Sequence, residues 1–181
     1  MNVQQPKNFS NHWLQLLTPN LPSNLQSNLS SSNSKIPECD FETMSKESQG
    51  FTQINGSTPP GTLALTQNGK VLLDIVNAQG QRVLMIKSIR KAGTRIGIHI
   101  HRYGGYTLIL KGVMTDFVEG QPNKKYGPNS GYYMPPCTPM SAANLGSQDV
   151  ELIDIFIGPP GQPYIEILEP DWTFKRINRW K

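Results

Sequence analysis

The sequence predicts an all-β protein, an antiparallel sandwich or barrel behind a polar N-terminal arm, and three observations carry that expectation. From about residue 59 onward, short apolar runs alternate with turn residues, the spacing of strands. The chain holds 16 Gly and 15 Pro, residues that punctuate turns rather than helices. No helical segment stands out among those runs.

Residues 1–50 differ in composition from the rest of the chain. Ser10 and Asn11 are placed to cap a short helix over His12-Trp13-Leu14-Gln15-Leu16-Leu17, which Pro19 and Pro22 end. Ser23 to Ser34 is almost wholly Ser, Asn and Leu, and Ser and Asn compete with the helical backbone for hydrogen bonds. The division expected is an arm over 1–50 and a barrel domain over 51–181. Within the barrel, Pro59-Pro60-Gly61 introduces a strand over Thr62 to Thr66. Asn68-Gly69 predicts a hairpin turn into Val71 to Val76, and Asn77-Ala78-Gln79-Gly80 leads into Arg82 to Ile89. Further strands are expected over Arg95 to His101, Tyr106 to Phe117, Gly131 to Met134, Val150 to Ile157 and Tyr164 to Leu168.

Composition narrows the function classes. At 181 residues the chain suits one domain with a proper core. No run approaches the eighteen or so apolar residues of a membrane span. The net charge of +4 is most visible in Lys175, Arg176, Arg179 and Lys181, interleaved with Trp172, Phe174 and Trp180. Aromatics packed on the barrel with charges left in water explain this segment, so no nucleic-acid partner is expected. The N-terminus shows no basic segment followed by an apolar core, and Cys39 and Cys137 lie far apart. No disulfide framework and a cytoplasmic location are therefore expected.

The candidate site lies in Gly93 to Gly112. His99 and His101 alternate with Ile96, Ile98 and Ile100, so on a strand both imidazoles share one face, about 7 Å apart along it. From there two nitrogens reach one divalent metal, and Arg95 has the same parity.

The spacing Gly93, five residues, His99-Ile100-His101, then Gly112, followed by Pro135-Pro136-Cys137-Thr138-Pro139-Met140 and Asn144, resembles the two motifs of the cupins. The resemblance covers about 59–168 and implies a cupin-type double-stranded β-helix barrel, jelly-roll-like, that often pairs as a homodimer. It also implies three His and one Glu around a divalent metal (Fe, Mn, Ni, Zn or Cu). Here the Glu falls on Gly105, the third His on Met140, the Gly of Pro-x-Gly on Cys137, and the opening Gly of the second motif on Asn129. The metal ligands expected are thus His99, His101 and Met140, with Arg95, Tyr106, Cys137 and Asp154 as further pocket residues. Cys137 and Met140 would complete a soft copper set, and Asp154, which breaks an apolar strand, is a substitute carboxylate. Two functions are implied: a metal-dependent oxygenase, isomerase or lyase acting on a small polar organic molecule, or a metal-free small-ligand-binding or structural barrel with a degenerate active site.

Overall fold

The computed structural model describes Cys39 and residues 51–170; among them it has twelve strands and no helix. The strands are β1 (Thr62–Leu63), β2 (Gln67–Val76), β3 (Arg82–Arg90), β4 (Thr94–Arg95), β5 (His99–Ile100), β6 (Gly105–Lys111), β7 (Met114–Val118), β8 (Lys124–Tyr126), β9 (Ser130–Met134), β10 (Met140–Ala143), β11 (Val150–Gly158) and β12 (Glu166–Ile167). They form two sheets. One runs β2-β3-β11-β6-β9, antiparallel throughout; the other runs β1-β4-β10-β5-β12, with β7 beside β10 and β8 beside β7. This is the double-stranded β-helix barrel that the resemblance implied.

Alternation decides which side chains meet between the sheets. On β6, Gly105, Thr107 and Ile109 are buried, whereas Tyr106, Leu108 and Leu110 are exposed. The inward residues of the first sheet, among them Leu84, Ile109, Leu152 and Phe156, pack on Met114, Val118, Met140 and Ala142 of the second. A smaller cluster, Ile54, Ile98, Phe117 and Ala143, covers the second sheet's other face. That is why β7 and β10 are buried at every position. The outer face of the first sheet has no such cover among the described residues and exposes Tyr106, Tyr133, Leu108 and Ile157.

Several expectations need correction. Asn68-Gly69 makes no hairpin: both residues lie inside β2, Asn68 has φ 52°, and the pairing with β3 shifts between Gln67 and Lys70. The left-handed residue is used for a bulge, which leaves β1 to pair in parallel with β4. The strand expected over Tyr106 to Phe117 is two strands, divided at Gly112, whose φ of +79° and contact with Val150 exclude a side chain. The run Arg95 to His101 is also divided, between β4 and β5. β8 carried no apolar signal and was not expected. The helix over 12–17 and the arm over 1–50, Cys39 apart, lie outside the described residues, as does the aromatic and basic C-terminal stretch.

The cysteines are the clearest correction. Cys39 and Cys137 form a disulfide, so the premise for a reducing compartment fails. The bond closes a loop across a sequence separation of 98, worth roughly 4 to 5 kcal/mol in the chain-entropy account. No helix among the described residues is long and apolar enough to cross a membrane.

A buried ion pair fixes the break between β4 and β5. Arg95 donates from both terminal nitrogens to Glu169, at 2.6 and 2.7 Å, and the same carboxylate accepts from the Ile98 amide at 2.8 Å. Burial pushes the Glu169 pKa up, but the Arg95 and Ile98 hydrogen bonds outweigh it and the net shift is down. The pair's stabilisation is therefore present above about pH 4.5, the ordinary glutamate value, and is lost as pH falls through the lower folded value. Arg95→Met strands the carboxylate, with an expected loss of about 3 kcal/mol and roughly 6 to 12 °C in Tm. In that variant acidification from pH 7 to pH 4 relieves the unpaired charge, so the difference from wild type narrows in thermal melts; a difference independent of pH would refute the assignment.

Candidate functional site

A cavity of about 120 Å³ lies between the sheets. The second sheet contributes His99, His101, Ile96, Met140 and Ala142; the first contributes Ser88, Arg90, Thr107, Asp154 and Phe156. The histidines reach it because the strand is broken. Ile98 and Ile100 are buried on the other side, as expected, but Ile96 faces the cavity. The interruption over residues 96–98 thus resets the alternation before His99.

Each imidazole is held through its δ nitrogen. His99 Nδ1 lies 2.8 Å from the Gly97 carbonyl and His101 Nδ1 lies 2.6 Å from the Tyr164 carbonyl. A carbonyl only accepts, so both δ nitrogens donate. The two ε nitrogens then face each other at 3.1 Å with a lone pair each. Three hydrogen-bond contacts share two protons while both rings are neutral, and the middle contact is repulsive until a donor or a metal cation enters it. Burial lowers both pKa values, that of His99 well below the ordinary value and that of His101 to about 4; the neighbouring His101 and Arg90 charges lower His99 further, against the Gly97 hydrogen bond.

Met140 stands opposite His99 in the β10–β5 ladder, where cross-strand side chains are neighbours on one face, and it is 1% exposed. Asp154, on β11, accepts a hydrogen bond of 2.6 Å from Thr107 Oγ1. Burial pushes its pKa up to about 6, opposed by Thr107 and by the charge of Arg90. Phe156 lies beside the His101 ring, centroids 5.1 Å apart, and stacks on Tyr164.

Three residues expected in the pocket lie elsewhere. Tyr106 is 51% exposed on the outer face, against Tyr133, because the inward positions of β6 are Gly105 and Thr107. Arg95 is committed to Glu169 on the far side of its sheet. Cys137 is in the disulfide, which excludes it from a thiolate copper set. Its backbone nonetheless keeps the glycine conformation of the motif position, with φ 55°, and Asn129 does the same with φ 61°. The Cys137 amide donates to the His101 carbonyl at 2.9 Å. The motif's Asn144 is fully buried and ties its strand to the Arg90 and Gln148 carbonyls.

Ser88, Arg90, Thr107 and Tyr132 also line the cavity and were not singled out from the sequence. A signal existed for two of them: Leu84, Ile86, Ser88 and Arg90 occupy alternate positions of β3, so two polar residues continue an apolar face. Asp116, likewise missed, is buried in phase with Met114 and Val118; burial pushes its pKa up to about 7, against a hydrogen bond from the Phe117 backbone.

The donor set suits a metal that keeps positions open. Two ligand nitrogens on one ion at 2.0 to 2.1 Å stand roughly 3.0 to 3.4 Å apart, and the ε nitrogens already have that separation. Among the described residues no group of three or more His, Cys, Asp and Glu converges, so His99 and His101 are the pair on offer, with the Met140 thioether next to them.

No family model matches the chain, and no curated protein does. Solved structures do. An uncharacterised double-stranded β-helix protein from Klebsiella pneumoniae is similar over 59% of this chain and 90% of its own, at 14% identity and TM-score 0.46. An RmlC-like cupin from Methanocaldococcus jannaschii is similar over 58% of this chain and 94% of its own, at 20% identity and TM-score 0.43. Oxalate decarboxylase from Bacillus subtilis is similar over 45% of this chain and 26% of its own, at 14% identity and TM-score 0.37. At these identities the likeness says nothing about a reaction.

Gly105 stands where the resemblance implied a carboxylate, and its surroundings leave little room for a side chain. A Cβ there would meet Met134 Cε at 2.7 Å, Phe156 Cδ1 at 2.9 Å and the Ile155 carbonyl at 3.0 Å. The methionine end can move, whereas the ring beside His101 and the backbone cannot move cheaply. Gly105→Ala should cost about 1 to 3 kcal/mol in chemical denaturation, and Gly105→Glu should cost more without adding a ligand; a wild-type midpoint for either would show that the strand yields.

Proposed function

We propose that the barrel cavity is the reaction chamber of a metal-dependent enzyme for a small polar organic molecule, with His99 and His101 as imidazole ligands and Met140 beside them. The observation that carries this reading is the 3.1 Å approach of two ε nitrogens whose δ nitrogens both donate to carbonyls. A divalent transition ion fits that gap, and imidazole with thioether suits iron, nickel, zinc or copper better than a hard ion. When bound, the ion supplies Lewis acidity toward a carbonyl or hydroxyl oxygen of the substrate.

The chain's own groups add proton chemistry. The Asp154 carboxylate, poised near neutrality at about 6 and oriented by Thr107, takes a proton from a bound molecule and returns it. Apolar walls from Ile96, Met140 and Phe156 exclude water. Isomerase or lyase chemistry uses Asp154 directly, and oxygenation does not need it, so the former reaction classes are preferred.

A second reading is a metal-free binding barrel, favoured by the filled Gly105 site. There a hydrogen-bond donor of the ligand, not a metal ion, meets the two ε lone pairs. A second copy of the chain is the proposed macromolecular partner, seated on the outer sheet face where Tyr106, Leu108 and Tyr133 are exposed.

Plasma mass spectrometry on protein purified without a metal column separates the readings. Near-stoichiometric iron, nickel, zinc or copper in wild type, and none in His99→Ala/His101→Ala, is the expected result. Met140→His, which adds a third imidazole opposite His99, should tighten zinc binding at least tenfold in a competition titration. Wild-type protein that is metal-free and refuses added metal leaves the binding barrel.

A further inference from the structure

We infer that the cavity takes a small carboxylate whose anionic group is received by Arg90 and Ser88. The inference rests on the cavity being a ligand chamber, and not on the metal.

Arg90 is 3% exposed and Ser88 2%, and both line the cavity. Arg90 Nη1 donates to the Ala64 carbonyl, but Nε has no partner, and neither has Ser88 Oγ. The ion pairs among the described residues all lie elsewhere. A guanidinium withdrawn from water without a directly paired counter-anion is costly to the fold. Two unpartnered donors from one strand, two residues apart and facing one cavity, are what a carboxylate would satisfy.

The cavity's own carboxylate does not fill this role. Asp154 is engaged by Thr107 and sits opposite Ile86, whereas Arg90 sits opposite Val150. Their backbones are four residues apart along the β3–β11 ladder, roughly 13 Å of strand, and although each charge is felt by the other, no ion pair joins them among those of the described residues. Phe156, one inward position beyond Asp154, lies against His101. The long Arg90 side chain covers part of that interval, since its charge acts on both Asp154 and His99, so a short ligand reaches from the guanidinium toward the histidines and Asp154. A ligand lying along the strands places its carboxylate at the guanidinium and its other end at the histidines and Asp154. The volume of about 120 Å³ suits on the order of five or six non-hydrogen atoms, since a cavity of roughly 150 Å³ takes up benzene. A single carboxylate matches the planar fork of one guanidinium, whereas a doubly charged phosphate would leave charge uncompensated.

The test is calorimetric titration of the full chain with butyrate and with butyramide, its neutral isostere, on wild type, Arg90→Met and Ser88→Ala, each with and without prior metal stripping. Wild type is expected to bind butyrate at least tenfold more tightly than butyramide. Arg90→Met should abolish the preference, and Ser88→Ala should reduce it several-fold. Replacing an unpaired buried charge with an apolar chain of similar length should leave the fold intact, which near-ultraviolet circular dichroism checks; if that variant does not fold, Ser88→Ala decides. Equal binding of acid and amide by wild type, or a preference that survives in Arg90→Met or is undiminished in Ser88→Ala, overturns the inference. Metal held by His99 and His101 without acid preference removes the carboxylate site alone, and acid preference in protein that binds no metal removes the metal alone.

Discussion

The Glu169 carboxylate, gripped by Arg95 and by the Ile98 amide, is the constraint on which the cavity depends. A continuous strand from Arg95 to His101 would keep all three isoleucines on one face and put Arg95 in line with the histidines. The interruption at residues 96–98 instead sends Arg95 and Ile98 to one side and Ile96, His99 and His101 to the other. Glu169 holds the interrupted backbone by accepting from Ile98, and its own amide returns a hydrogen bond to the Ile98 carbonyl. The imidazoles are then fixed by backbone carbonyls at Gly97 and Tyr164, not by side chains that a rotamer change would release.

Much of this barrel was legible in the chain. The alternation of β3, β6 and β11 and the turn residues between them gave the sheets, and the two motifs gave the wrap. What misled were residues with more than one use. Asn68-Gly69 has hairpin chemistry, but a left-handed asparagine serves a bulge equally well, and only the partner strand decides. The distance between Cys39 and Cys137 was misleading as an argument against pairing, because loop closure costs little more as loops lengthen.

The site was legible in part. His99 and His101 could be picked out by spacing, and Met140 by its place in the motif although it replaces a histidine there; all three line the cavity. Tyr106 failed because adjacency to Gly105 says nothing about face, and strand parity put it outside. Arg90 and Ser88 were hidden because polar residues near a strand end are ordinarily solvated, and their burial comes from the opposing sheet. Asp154 could be read as a break in an apolar run, while its orientation waited on the pairing of β11.

The sheet order has a consequence for assembly. β11 lies between β3 and β6, and its pairing with β3 spans at least 60 residues, from Val150 to Arg90. The central strand of the five-stranded sheet is therefore synthesised after both of its neighbours, and neither β3 nor β6 has its inner-edge partner until it arrives. Such distant pairing slows folding and keeps two long apolar strands open on one edge meanwhile. The chamber forms as a whole or not at all, since Asp154, Leu152 and Phe156 enter with that strand.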